Sequence, residues 1–165
     1  MMPSAMMPNE HVTRWLAGLA ETCLEDADLH RLAARATTDL ALRSALERCA
    51  RSRATFARDL RTVAEDLGST FPPGPTVAGV LYRRAIGRPH GSTSLLEAPL
   101  ASCTLGAEAV IEAYDAALSE PLPAAAESLL TRQCEQIVVW LETLESIAQA
   151  RPSERDPAPT LELAA

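Results

Sequence analysis

The sequence predicts an all-α protein, a four-helix bundle, and three observations carry that prediction. Strong helix formers dominate the 165 residues, 47% of them hydrophobic and 4% aromatic, while Val-Ile-Thr runs with strand alternation are missing. Gly and Pro gather between about residues 68 and 91 and near the termini, so the stretches between are free of breakers. The stretch Leu100 to Glu120 reads LASCTLGAEAVIEAYDAALSE, and its inward positions Leu100, Cys103, Ala107, Val110, Tyr114 and Ala117 form an apolar seam with a mean period of about 3.5 residues. A helix with such a seam is made to lie along other helices, and its small side chains allow close approach.

A chain of this size fits one domain with a core built mostly of Leu, Ala and Val. Its net charge of -7 argues against nucleic-acid binding, because phosphate contact needs a concentrated basic face. Arg43, Arg48, Arg51, Arg53, Arg58 and Arg61 are scattered around one helix rather than aligned in a stripe, as on a solvated face. The opening MMPSAMMPNEH has no basic n-region or apolar h-region, and no window approaches 18 consecutive apolar residues. The expectation is a soluble, cytoplasmic protein with no membrane partner. Cys23, Cys49, Cys103 and Cys134 contain no CxxC pair, which excludes a zinc knuckle or thioredoxin motif, and in the cytoplasm they would be reduced.

In chain order, residues 1–8 read as a flexible leader, and residues 9–150 as a single domain. The first helix, about 9–36, is capped by Asn9 and has the seam Val12, Leu16, Leu19, Cys23, Asp26, His30 and Ala33, with Trp15 and Leu29 beside it. The seam turns polar in its second half, so either Asp26 and His30 have partners inside or the register drifts and they face water. Thr37, Thr38 and Asp39 supply capping oxygens for a tight turn, which makes the first two helices an antiparallel hairpin. The second helix, about 39–67, has the seam Leu42, Leu46, Cys49, Arg53, Phe56, Leu60, Val63 and Leu67, and Gly68 is its C-terminal stop.

Residues 68–93 form a connection of about 26 residues, far longer than an ordinary helix-to-helix loop. Val77, Val80, Leu81 and Ile86 allow one short amphipathic helix within it. Such a length can travel the whole bundle, since a 28-residue helix is roughly 42 Å long, and it implies one long crossover. The third helix, about 98–119, begins near Pro99, with Leu95 and Leu96 on a preceding kinked turn. Pro121 and Pro123 make the next turn. The fourth helix, about 123–149, has the seam Ala126, Leu130, Gln133, Ile137, Trp140, Leu144 and Ile147, and residues 151–165 read as a flexible tail.

TVAGVLYRRAIG in the connection, CTLGAEAVIEAYDAAL in the third helix, and RATFARDL with a following Gly in the second together resemble a bacterial family of ferritin-like four-helix bundles of unassigned function, within the rubrerythrin and ferritin-like superfamily. The resemblance spans roughly residues 9 to 149 and implies a ferritin-like bundle whose crossover lies between helices two and three. It implies no activity. The family's third-helix motif looks like Cys-Glu-x-Gly-Glu-Asp, whereas Thr104 and Ala107 stand here where two acids would be, leaving Glu108 at the final acidic position.

A ferritin-like di-iron centre takes a Glu from each of two helices plus Glu-x-x-His from each of the others. This chain contains no Glu-x-x-His. Asp26 and His30, one turn apart, and Glu108 are the weak hard-metal candidates. An Asp-His-Arg polar patch in the core or at its edge is the blander reading. Arg53 on an apolar seam needs a partner, because an unpaired buried guanidinium is intolerable. With helices two and three parallel, Arg53 and Glu108 lie roughly level, and Asp26 is the second partner to consider. Arg53, Glu108 and Gln133 are therefore expected to form a structural polar core. Cys23, Cys49, Cys103 and Cys134 fall one per helix within about 9 Å of axial height, a soft-metal alternative for copper(I) or zinc beside the plainer reading of small core residues.

With no activated nucleophile and no phosphate loop, the functional expectation is a non-catalytic bundle that acts by association with itself or another protein, with no cofactor predicted. Trp15 and Tyr82 are the expected exposed aromatics of a contact surface. The alternative is a metal-binding or metal-oxidising ferritin-like protein with a degenerate site, holding iron, zinc or copper(I).

Overall fold

The computed structural model describes residues 8–69 and 97–150. They form four α-helices: α1 (Pro8–Ala36), α2 (Leu40–Asp66), α3 (Glu97–Leu118) and α4 (Ala124–Gln149). The expected connection at 68–93, with its short helix and Tyr82, lies outside the described residues beyond Ser69, as do the expected leader up to residue 7 and the tail 151–165.

Local chemistry sets the helix ends. Between α1 and α2, the Asp39 carboxylate accepts hydrogen bonds from the backbone N–H groups of Ala41 and Leu42 at 2.9 and 3.0 Å. That satisfies two of the four N–H groups that a helix start leaves without an internal partner. Thr37 accepts from Asp39 N–H at 3.2 Å, and the Arg43 guanidinium donates to the Thr37 carbonyl at 2.7 Å, so the turn is tied from both sides. α2 stops where Gly68 adopts φ +88, the left-handed region a glycine enters without a Cβ clash. Gly68 N–H then donates to Glu65 and Ser69 N–H to Ala64, both at 2.9 Å, closing the helix with a Schellman motif. Pro99 falls in the first turn of α3, where the missing N–H has no helical partner to lose.

α1 packs on α2 and α3, and α4 packs on α3 and α2; the diagonal pairs α1–α4 and α2–α3 do not pack on each other among the described residues. One apolar cluster joins Val12, Leu16 and Leu19 of α1, Leu60 and Ala64 of α2, Val110 and Ala117 of α3, and Leu130 and Ile137 of α4. A second joins Ala33, Leu42, Leu46, Cys49, Cys103 and Leu144. The start of α1 thus shares a cluster with the end of α2, the end of α3 and the start of α4. α1 and α4 run one way, α2 and α3 the other, and every packed pair is antiparallel.

The seams are the buried faces. From Val12 to Ala33, every expected seam position of α1 is buried, Asp26 and His30 included, which decides between the two readings of its polar half. On α2 the seam is buried from Leu42 to Leu60 and half-buried at Val63 and Leu67. Between the two apolar clusters lies a polar layer: Asp26 and His30 follow Cys23 on α1, and Arg53 sits between Cys49 and Phe56 on α2.

Candidate functional site

The helical repeat builds this layer from separate turns. Asp26 and His30 are four residues apart and share a face of α1, and Arg53 reaches them from the antiparallel α2. Arg53 Nε donates to Asp26 Oδ2 at 2.8 Å. His30 Nδ1 donates to the Asp26 backbone carbonyl at 2.7 Å and lies 3.5 Å from Asp26 Oδ1. All three residues are fully buried. The guanidinium also lies 5.8 Å from the centre of the Phe56 ring, within cation–π range.

A buried ion pair of this kind costs several kcal/mol per ion in desolvation, and the short charge-assisted bond offsets that cost only while both partners are present. The arrangement specifies how α1 and α2 register against each other. It also occupies the carboxylate. A divalent cation approaching Asp26 would meet a permanent positive charge on the same group, at a distance where repulsion is strong in a low-dielectric interior.

A second polar chain runs beside the first, within the larger cluster. The Tyr114 hydroxyl donates to Gln133 Oε1 at 2.7 Å, and Gln133 Nε2 reaches the Phe56 carbonyl at 3.5 Å. Cys23 Sγ lies 3.3 Å from the same hydroxyl. Because the single phenolic proton is committed to Gln133, the thiol is the donor in that contact. Burial pushes the Cys23 thiol up to about 11, opposed in part by the Arg53 charge, and burial likewise raises Cys49 to about 11. Cys103, Cys134 and the Tyr114 hydroxyl are also raised, in each case chiefly by burial. All four cysteines are free, buried thiols, and burial holds them protonated at neutral pH.

The expected site residues therefore divide. Asp26, His30 and Arg53 come together. Gln133 is buried, but its partners are Tyr114 and Phe56 rather than Arg53. Glu108 is exposed, which corrects the expected Arg53–Glu108 pair: at that height of α3, Ala107 faces the core and the neighbouring position points to solvent. Because α2 and α3 are diagonal, α1 supplies the nearer carboxylate. The four cysteines do not form one group, since Cys23 and Cys134 belong to one apolar cluster and Cys49 and Cys103 to the other. Among the described residues no three His, Cys, Asp or Glu side chains come together so as to hold a metal ion. Trp15, expected as an exposed contact residue, is half-buried against the larger cluster, and its indole N–H donates to His11 Nε2 at 3.2 Å.

Sequence reasoning missed the Tyr114 hydroxyl. The available signal was Tyr on one seam and Gln on the next, since a buried phenol needs an acceptor and Gln can supply it.

No family model matches the chain, and no curated protein matches it. Among the described residues no helix is long and apolar enough to cross a membrane.

Proposed function

We propose that the chain is a ferritin-like bundle without catalytic activity that acts by association with itself or another protein. The observation that carries the reading is the closure of the middle layer. Asp26, His30 and Arg53 are fully buried and held against one another, and the thiols nearby are kept protonated, so this layer presents no activated group to a substrate. Association is supported by apolar side chains that remain outside the core: Leu32 and Leu40 flank the α1–α2 turn at 61% and 75% exposure, and Val139 on α4 is at 59%.

Helix directions support the ferritin-like part of the reading. In a simple up-down-up-down bundle, α2 and α3 would be antiparallel neighbours. Here they are diagonal and run the same way, the relation expected of two helices joined by a long crossover.

Light scattering on the full chain tests the association. A concentration-dependent rise above monomer mass is expected, reduced by Leu40→Glu, and a strict monomer at high concentration that also captures no partner would sink the proposal. Elemental analysis of protein purified without chelator tests the alternative, a degenerate metal-binding or metal-oxidising protein. Iron near two per chain would overturn the closed-layer reading, and zinc or copper would redirect attention to the cysteines.

A further inference from the structure

Two atoms of the middle layer are buried with no hydrogen-bond partner among the described residues: Nε2 of His30 and Nη1 of Arg53. Both side chains gather on Asp26, and their demands are complementary. His30 Nδ1 lies 2.7 Å from a backbone carbonyl, which can only accept, so Nδ1 carries the proton and Nε2 of the neutral ring presents a lone pair. Arg53 Nη1 presents N–H donors. Native interiors rarely leave such groups unpaired, and an interior water is the usual partner when the site is polar.

The charge of the layer selects the ligand further. Asp26 and Arg53 cancel. A cation would meet the guanidinium and an anion the Asp26 carboxylate, whereas a neutral molecule is opposed by neither. The stretch of α3 between the two apolar clusters carries Gly106 and Ala107, both buried and both small.

We propose that this layer is a binding site for one small neutral hydroxylic molecule, a water in the resting protein, which accepts from Arg53 Nη1 and donates to His30 Nε2. It accounts for a fully buried imidazole whose second nitrogen has no partner among the described residues. The inference does not depend on whether copies of the chain associate, and a monomeric protein would carry the same site.

Water relaxation dispersion on the full chain is the test, read together with the imidazole nitrogen shifts of His30. The wild type should show one long-lived internal water more than His30→Phe, which removes the acceptor at similar volume, while His30→Gln should keep it. The His30 nitrogen shifts should report a neutral ring with a proton on Nδ1 and a hydrogen-bonded Nε2. Equal dispersion in the wild type and a folded His30→Phe would overturn the site. If His30→Phe does not fold, the wild-type spectrum alone decides, because an Nε2 shift of an unbonded acceptor overturns it as well. A doubly protonated His30 at neutral pH, with shifts that follow chloride concentration, would replace the neutral ligand with an anion and overturn the assignment.

Discussion

The apolar clusters and the layer between them are held together in different ways. In the clusters, Leu16, Leu60, Val110 and Ile137 contribute in proportion to the area they bury, and neighbours of similar size can substitute at modest cost. In the middle layer the contribution depends on identity. Arg53 is tolerable only because Asp26 is 2.8 Å away, and each partner would be a liability alone. The clusters make the bundle stable, and the layer makes one alignment of α1 on α2 preferable to its neighbours.

The largest expected effect breaks this layer. Arg53→Met should cost about 3 to 5 kcal/mol by removing the guanidinium that pairs with the buried Asp26 carboxylate, and adding Asp26→Asn should recover much of that loss. Denaturant melts of the wild type, both single variants and the double variant give the coupling. Glu108→Gln, by contrast, should stay within about 0.5 kcal/mol and add independently to Arg53→Met, since Glu108 is exposed. Strong coupling of Arg53 to Glu108 with none to Asp26 would reverse the pairing described above.

What was legible in the sequence follows the same division. Apolar seams are repeated signals, many residues voting for one period, so Val12–Leu16–Leu19 and Val110–Tyr114–Ala117 could be placed on the inside from spacing alone. Asp39 and Gly68 were legible because a cap and a left-handed stop each depend on one residue type at one position. The pairing of Arg53 was not. Asp26 and Glu108 were both carboxylates at a suitable height, and choosing between them required knowing that α2 and α3 are diagonal, a property of the whole bundle that no local pattern encodes.

Smaller effects sharpen the contrast between area and identity. The Cys23 and Cys49 thiols are raised from 9.0 to about 11 by burial, so between those values the native state holds protons that the unfolded chain has released. Stability should therefore be intact below about pH 9 and fall as pH rises through about 11, by roughly 2 kcal/mol per thiol. Melts at a series of alkaline pH values check this, and Cys49→Ala should flatten the slope even though it lowers stability at neutral pH. A smaller change still is expected at the turn. Asp39→Ala should cost about 1 kcal/mol by releasing the N–H groups of Ala41 and Leu42, and Asp39→Ser should restore most of it in the same melts.

The smallest expected effect lies at the far end of α1, where a polar contact is open to solvent. His11 Nε2 is 3.2 Å from Glu120 Oε2 and 3.2 Å from the Trp15 indole nitrogen, whose N–H donates to it. One nitrogen cannot serve both. A ring protonated on Nε2 donates to Glu120, whereas a neutral ring with its proton on Nδ1 accepts from Trp15. With the His11 and Glu120 side chains 41% and 38% exposed, water competes for each bond and salt screens the pair. Glu120→Gln should thus change global stability by less than about 0.5 kcal/mol, against the several kcal/mol expected for the buried pair. A cost above about 2 kcal/mol for Glu120→Gln would be outside the range of exposed pairs, and it would place this end of the α1–α3 interface among the identity-dependent contacts rather than beside the solvated ones.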